Sequence, residues 1–399
     1  MLAGLMMQII APEALRPQSK VTLETVSTVG GVEALRPDYE RLNRLTDNTL
    51  PFALHEWHLT WCRHFLNCDP RVREEPMFFT LRDSTEACVG IVPFIVSRRR
   101  IGPLKIASIN LIGADPAITE IRTPLIAPGY ESLIARAVRT QLAKVPDWDW
   151  IHWAAVDYDF AAALTSADLQ WQPPLADYVL DMTSTWAQFR QGLKRNIRES
   201  LRHCYNSLKR DNLSFELQVV QDPPEVRAAV DRFLALHGMR ARVETTVMHP
   251  NRFAAQVSQD FLYEVCERLA ARGIVRFFQL KIGEHVVASR IGFAVGTSLY
   301  LYYSGYDDAW ARYSVMTTTL AEAIKYAIAH GFKTVNLSPT KDVAKTRWSP
   351  RQVDYKCAFE HSGSLRSRLL CRAYVKARAV DGPQPWYFKY LTPVRRGWN

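Results

Sequence analysis

The sequence predicts a mixed α/β protein built as two lobes of similar design. Residues 21–180 and 215–360 each alternate strand-like and helix-like stretches, the pattern of mixed α/β domains. In addition, "FFTLRDSTEACVG" from Phe78 and "FFQLKIGEHVVAS" from Phe277 read alike: Phe-Phe-x-Leu-basic, a turn, a Glu and a second apolar strand. A duplicated domain produces such an echo, and so do two unrelated hairpins of similar β propensity.

In the first half the strand candidates are "VTLETV", "PMFFTLR", "ACVGIVPFIVS", "WDWIHWAAV" and "DYVLDM", with helical patterns at 31–46, 55–66 and 130–144. In the second half "SFELQVV" precedes helices near 224–238 and 252–272. The strands "IVRFFQLKI", "HVVASRIGFAV" and "SLYLYYSGY" follow, then a helix, then "KTVNLS". Runs rich in Val, Ile, Tyr and Phe between turn residues carry the strand assignments. The implied organisation is a disordered start at 1–20, an N-terminal domain at 21–183, a connecting helix at 184–212 and a C-terminal domain at 213–399.

That connecting segment reads "STWAQFRQGLKRNIRESLRHCYNSLKRD". Thr185 and Gln188 have capping-box spacing. Phe189, Leu193, Ile197, Leu201, Cys204 and Leu208 recur every three or four residues as one apolar stripe. Lys194, Arg195, Arg198, Arg202 and Lys209 lie off it, so the helix is expected to show a basic outer surface. No low-complexity linker separates the halves, which are expected to pack together.

Composition narrows the class. The 399 residues are 48% hydrophobic and 23% charged, as in globular proteins. The net charge of +10 favours anionic partners such as phosphorylated cofactors, acidic polymers, nucleic acid or a membrane face. Seven dispersed cysteines without a C-x-x-C pair argue against a disulfide framework or a zinc site and fit a reducing cytoplasm. The opening "MLAGLMMQIIAPEALRP" lacks a basic n-region, so no signal peptide is expected. No apolar run is long enough to span a membrane. His55, His58, Cys62 and His64 in "HEWHLTWCRH" have helical spacing, but the aromatic setting suggests a packed helix face, and no metal is expected. The basic run "SRRRIGPLK" at 97–105 reads as a solvated strand end.

The stretch "GYDDAWARYSVMTTTLAEAIKYAIAHG" is a strand end entering a helix. Met316, Leu320, Ile324, Ala327 and Ile328 share one helix face, Ser314 can cap the start, and Gly331 follows the end. Free N–H groups and the dipole at a helix start attract anions. Arg312 can add a charge-assisted bond.

From about Trp186 to Trp348 the chain resembles the CelD/BcsL-type acetyltransferases, a branch of the GNAT superfamily associated with cellulose and exopolysaccharide synthesis. It is also similar, more distantly, to Fem-type aminoacyltransferases, which carry two tandem GNAT domains. The match rests on "LKRNIRESLRH" with "FLALHGMRA", on "FFQLKIGEHVVASRIGFAVGTSLYLYYSGYDDAWARYS" with "LAEAIKYAIAHG", and on "VNLSPTKDVAKTRW", where Lys345 and Trp348 fit a Tyr-Lys-x-x-Trp ending. It departs from the family at Val315-Met316, where Pro-Gly is usual, at Ala344 in place of Tyr, and at Asn336 in place of Asp.

The resemblance implies tandem GNAT-like domains packed as two lobes, and transfer of acetyl from acetyl-CoA, or of another acyl group from its CoA thioester. The acceptor would be a sugar or lipid-linked glycan precursor, in the cytoplasm or peripherally at the inner membrane face beside a polysaccharide synthase. It implies a phosphate site at Arg312, Tyr313, Ser314, Val315, Met316, Thr317 and Thr318. His237, Asp307 and Lys345 are the catalytic candidates, His237 as base because imidazole titrates near neutrality. Arg195, Arg198, Arg240, Asp308 and Trp348 are the acceptor-binding candidates. The alternatives are aminoacyl transfer from aminoacyl-tRNA, as in the Fem type, and a non-catalytic GNAT-like scaffold of a polysaccharide-synthesis complex.

Overall fold

The structure, a computed structural model, describes residues 20–114, 118–166, 168–243 and 249–378. The N-terminal lobe runs β1 (Thr22–Val26), α1 (Val29–Ala34), α2 (Arg36–Leu45), α3 (His55–Phe65), β2 (Val72–Arg82), β3 (Cys88–Ile101), β4 (Leu104–Leu111), β5 (Leu125–Ile126), α4 (Glu131–Leu142), β6 (Trp150–Val156), α5 (Tyr158–Ala163) and β7 (Leu169–Asp181). Two connecting helices follow, α6 (Trp186–Gly192) and α7 (Arg195–Arg210). The C-terminal lobe repeats the plan with β8 (Phe215–Val220), α8 (Pro223–Ala241), α9 (Gln256–Ala270), β9 (Val275–Ile282), β10 (His285–Val295), β11 (Ser298–Tyr306), α10 (Val315–Ala329), β12 (Thr334–Pro339), α11 (Val343–Thr346), β13 (Arg351–His361) and α12 (Leu365–Arg378).

These thirteen strands form one sheet in the order β1-β2-β3-β4-β6-β13-β7-β12-β11-β10-β9-β8, with β5 beside β3. The order reads as two copies of a single plan. Each lobe has a leading strand, a three-strand antiparallel meander and a parallel fifth strand. The last strand of each lobe then crosses over: β13 pairs with β6, β7 pairs with β12, and β7 and β13 pair with each other. Phe78 and Phe277, the start of the sequence echo, fall on the topologically matching strands β2 and β9. The mixed α/β class and the two-lobed plan expected from the sequence are therefore present.

Apolar periodicity placed most elements, and two expected helices are each broken in two. The pattern at 31–46 splits into α1 and α2 at Leu35. The connecting helix splits too, because Leu193 is extended (φ −73°, ψ 147°) after Gly192. Thr185 does cap, accepting from the Gln188 N–H at 3.3 Å. Side chains of the stripe from Phe189 to Leu208 are buried, while Lys194, Arg195, Arg198, Arg202 and Lys209 are exposed. Leu193 stays in register for burial even though the backbone breaks there.

An aromatic seam welds the lobes. Trp57 on α3 is fully buried and meets Phe261 of α9, Phe293 of β10 and Tyr302 of β11 edge-on, with centroids 5.2, 6.0 and 5.9 Å away. Large aromatics dominate such interfaces by sheer buried area. Beside the seam, Glu56 accepts from Arg272 at 2.9 Å and from Arg36 at 2.7 Å. The histidines of α3 join this packing: His55 Nε2 bonds the Val32 carbonyl, His58 Nδ1 meets the Tyr39 hydroxyl at 2.6 Å, and His64 bonds Glu264. A separate core cluster lies between α6, α7 and α10 and the strands β7, β9, β11 and β12.

Candidate active site

β11 and β12 run parallel, yet they pair only over Ser298–Tyr300 and Thr334–Asn336. Beyond these residues the two strands part. A cleft of about 740 Å³ opens there, with Tyr302, Tyr303 and Ser304 on one side and Leu337, Ser338 and Pro339 on the other. Its edge at β12 is irregular: the pairing with β7 shifts between Asn336 and Pro339, and Ser338 and Thr340 have φ of 66° and 76°. Non-glycine residues with positive φ are strained and need surrounding contacts to hold them. Lys345 supplies such a contact. Its ammonium donates to the carbonyls of Ser338 and Pro339 and to the Ser338 hydroxyl at 3.0 Å.

The N-terminus of α10 forms the next wall. Ser314 precedes it in the left-handed region (φ 53°, ψ 42°), and its side chain makes no capping bond. Val315 and Met316 are therefore the first helical positions, whose N–H groups have no intrahelical partner. Met316 and Thr317 line the cleft. Arg347, from just after α11, donates to the Thr317 hydroxyl at 2.7 Å, while its Nε is buried without a partner. A guanidinium thus sits at a helix start that carries no acidic residue in its first turn.

Arg312 goes elsewhere. It is exposed, stacks over the Tyr313 ring and donates to the Tyr313 hydroxyl, which donates to Asp211 at 2.8 Å. Neither Arg312 nor Tyr313 lines the cleft. The guanidinium at the α10 start is Arg347, a position the linear motif could not single out because it arrives from another element.

The remaining candidates divide as follows. His237, Arg240 and Lys345 line the cleft, as do Met316 and Thr317. Asp307 caps the 3-10 turn at Asp308–Tyr313 by accepting from the Ala309 N–H, and Asp308 is exposed. Arg195 pairs with Glu199 on the exposed face of α7, where Arg198 also lies. Trp348 is buried in the core cluster under α10. Val315 and Thr318 are buried in the first turn of α10.

His237 has both ring nitrogens engaged. Nδ1 faces the Ser304 carbonyl at 3.0 Å, and Nε2 lies 3.3 Å from the Arg252 N–H. A proton on Nδ1 satisfies both contacts and leaves Nε2 accepting. Burial, together with nearby Arg240 and Arg252, pushes its pKa down to about 4. The ring thereby ties α8 to β11, which approach so closely that a Cβ on Gly305 would lie 2.2 Å from the His237 nitrogen. Only glycine fits there.

A carboxyl reaches the cleft from the other lobe. Glu120 follows β4 in a loop held by two tyrosines of β11: the Tyr300 hydroxyl donates to Glu120 at 2.7 Å, and that of Tyr302 donates to the Ile118 carbonyl at 2.5 Å. Trp57 adds a bond to Thr119 at 3.1 Å. Burial raises the Glu120 pKa to about 7, against the opposing pull of Lys345. Burial in turn lowers the pKa of Lys345. Nearby, buried Asp177 accepts from Asn336 at 2.6 Å, and burial raises its pKa as well. Glu120 had no local signal in the sequence; only the packing of one lobe's loop on the other lobe's strand makes it a site residue.

The lining is strongly cationic. Among the described residues Arg122, Arg240, Arg252, Arg290, Lys341, Lys345, Arg347 and Arg378 share the lining with two acids, Glu120 and Asp342. Such a cleft concentrates anions.

Residues 194–356, the helix α7 and most of the C-terminal lobe, match the family model described as Acetyltransferase (GNAT) domain. No curated protein matches the chain by sequence. Among solved structures, that of FemX is similar with a TM-score of 0.53 at 10% identity, over 80% of this chain and 95% of that one. L-PGS from Bacillus licheniformis gives 0.46 at 10% identity, over 85% and 96%. A tandem GNAT protein from the clavulanic acid biosynthesis pathway gives 0.42 at 10% identity, over 86% and 96%. The likeness to FemX is one of fold. Among the described residues no helix is long and apolar enough to cross a membrane, and no group of three or more His, Cys, Asp or Glu side chains is arranged to hold a metal.

Proposed function

We propose that the cleft transfers an acyl group, acetyl in the simplest case, from an acyl-CoA to a hydroxyl or amine of a glycan precursor. The observation that carries this reading is the parting of β11 and β12 onto an acid-free helix start with Arg347 bonded to Thr317. Free N–H groups plus a guanidinium are what a pyrophosphate needs. Met316 narrows the approach that glycine would leave open, but the N–H groups remain.

The donor supplies the activated acyl carbon as a thioester. Glu120 is the base: its carboxylate takes the proton of the acceptor O–H or N–H as that atom bonds the acyl carbon, the C–S bond breaks with its electron pair leaving on the coenzyme A thiolate, and the proton passes from Glu120 to that sulfur through solvent. A carboxyl titrating near neutrality suits this role. Tyr300 holds the carboxyl in place. His237, with Nε2 already accepting, serves as a positioning residue for β11. Lys345 holds the strained β12 end and places a cation near Glu120.

The test is calorimetric titration of acetyl-CoA. Arg347→Ala is expected to lose about 1.5–3 kcal/mol of affinity, the range for a hydrogen bond to a charged group, while Arg312→Ala stays close to wild type. Absence of binding to the wild type would overturn the acyl-CoA reading. A second reading, aminoacyl transfer from aminoacyl-tRNA, draws on the exposed cations of α7; activity that depends on charged tRNA and ignores acyl-CoA would select it.

A further inference from the structure

Besides Arg347, two more arginines of the cleft converge on one small side chain. Arg240 of α8 donates to the Ser304 hydroxyl at 2.9 Å, and Arg290 of β10 lies 3.4 Å from the same oxygen. The Nε of each is buried without a hydrogen-bond partner. Among the described residues no carboxylate lies within ion-pairing distance of either, whereas Arg36, Arg139 and Arg272 all reach a buried glutamate. Among the described residues the second Arg240 terminus reaches the His249 ring alone, at 3.1 and 3.2 Å. One hydroxyl cannot neutralise two guanidiniums.

Adjacent like charges in a partly dry cleft repel each other, and burial adds a cost. Both act here: burial, with Arg240 beside it, pushes the Arg290 pKa down to about 10. An arrangement of this kind becomes favourable when a dianion fills it, since guanidiniums bind phosphoryl oxygens two at a time. We infer that Arg240 and Arg290, with His249 and Ser304, form a second oxyanion subsite, separate from the α10 start, that takes a phosphoryl group carried by the acceptor. The inference rests on the acyl-transfer reading for the word acceptor; the subsite itself does not need it. The acceptor class is then a phosphorylated one, such as a sugar phosphate or the phosphate end of a lipid-linked glycan, and a neutral free sugar would be a poor substrate.

The probe is inorganic phosphate, followed by ³¹P relaxation, titrated into the full chain with and without saturating coenzyme A. With coenzyme A present the α10 start is occupied, so phosphate binding that persists reports the second subsite. Arg290→Met is expected to weaken that binding roughly 10- to 100-fold, the effect of losing one charge-assisted bond. Arg290→Lys, which keeps the charge and guards against misfolding, should recover part of it, and Arg347→Ala should leave it within about twofold. Loss of all phosphate binding on adding coenzyme A would overturn the subsite, as would indifference to both Arg290 variants in protein that melts normally. If coenzyme A itself does not bind, the donor reading fails. Dependence of phosphate binding on Arg290 would still establish the subsite.

Discussion

The two lobes share a strand order and differ at one helix start. In the N-terminal lobe the helix between the meander and the parallel fifth strand, α4, opens with Glu131, whose carboxylate accepts from the Gly129 N–H at 3.1 Å. In the C-terminal lobe the matching helix, α10, opens with Val315-Met316-Thr317, carries no acid in its first turn and receives Arg347. A carboxylate at a helix start is the protein's own anion, stabilising and self-sufficient. Arg347 beside an acid-free start invites an anion from outside. The lobes thus keep one sheet plan while a few charges set their helix starts apart. The first lobe still contributes, through Glu120.

The carboxyl that the N-terminal lobe lends to the cleft carries the largest expected effect. Glu120→Gln should lower kcat roughly 10²–10⁴-fold, as loss of a general base does, with acetyl-CoA affinity near wild type. In the wild type, activity should rise with pH through about 7, where the raised Glu120 pKa turns the acid into the base. Stability should move the other way. The folded state holds this proton more tightly than the ordinary carboxyl value of 4.5 allows, so the Glu120 contribution is full below that value and declines as pH rises toward about 7. Glu120→Gln should flatten that decline, read as melting temperature against pH.

Next in size is a transplant. Met316→Glu writes the N-terminal lobe's solution into α10 and should weaken coenzyme A binding roughly 100-fold by repelling the pyrophosphate and occupying the N–H groups. The converse, Glu131→Ala, should create no coenzyme A site, because no matching arginine approaches α4 among the described hydrogen bonds. Binding by Glu131→Ala in a protein that also carries Arg347→Ala would show that the helix start alone suffices.

The smallest effect concerns strain that both lobes store in the same place. Past its pairing with β4, where its register with β13 shifts, β6 holds Ala155 at φ 54°, much as β12 past its pairing with β11 holds Ser338 at 66°. Ala155→Gly should stabilise the fold by up to about 1 kcal/mol, the left-handed penalty less the glycine entropy cost. Ser338→Gly should gain less or lose, since the Ser338 hydroxyl accepts from Lys345 at 3.0 Å. Equal gains at both positions would mean that the Lys345 contact contributes little.

How much could be read in advance followed the range of the forces involved. The strands "HVVASRIGFAV" and "SLYLYYSGY" coincide with β10 and β11 residue for residue, because β-rich runs bounded by turns are a local signal. β4 and β13 had no such signal. The first starts inside a basic run, and the second begins with exposed, polar residues. Among the residues lining the cleft, His237, Arg240, Met316, Thr317 and Lys345 were singled out through the motifs that carry them. Arg290, Arg347 and Glu120 were not, since no spacing along the chain brings them to one cleft.

Local pattern in the chain was enough for the alternation of elements, the buried stripe of α6 and α7, the echo at Phe78 and Phe277, and the surplus of positive charge. These depend on periodicity and composition, which any short window carries. The tertiary structure decided the exchange of β7 and β13 between lobes, the replacement of Arg312 by Arg347 at the α10 start, and the meeting of Glu120 with Tyr300. Those outcomes require residues far apart in the chain to share a few ångströms of space. A charge or carboxyl acquires its chemistry there from burial and neighbours, neither of which exists before the chain folds.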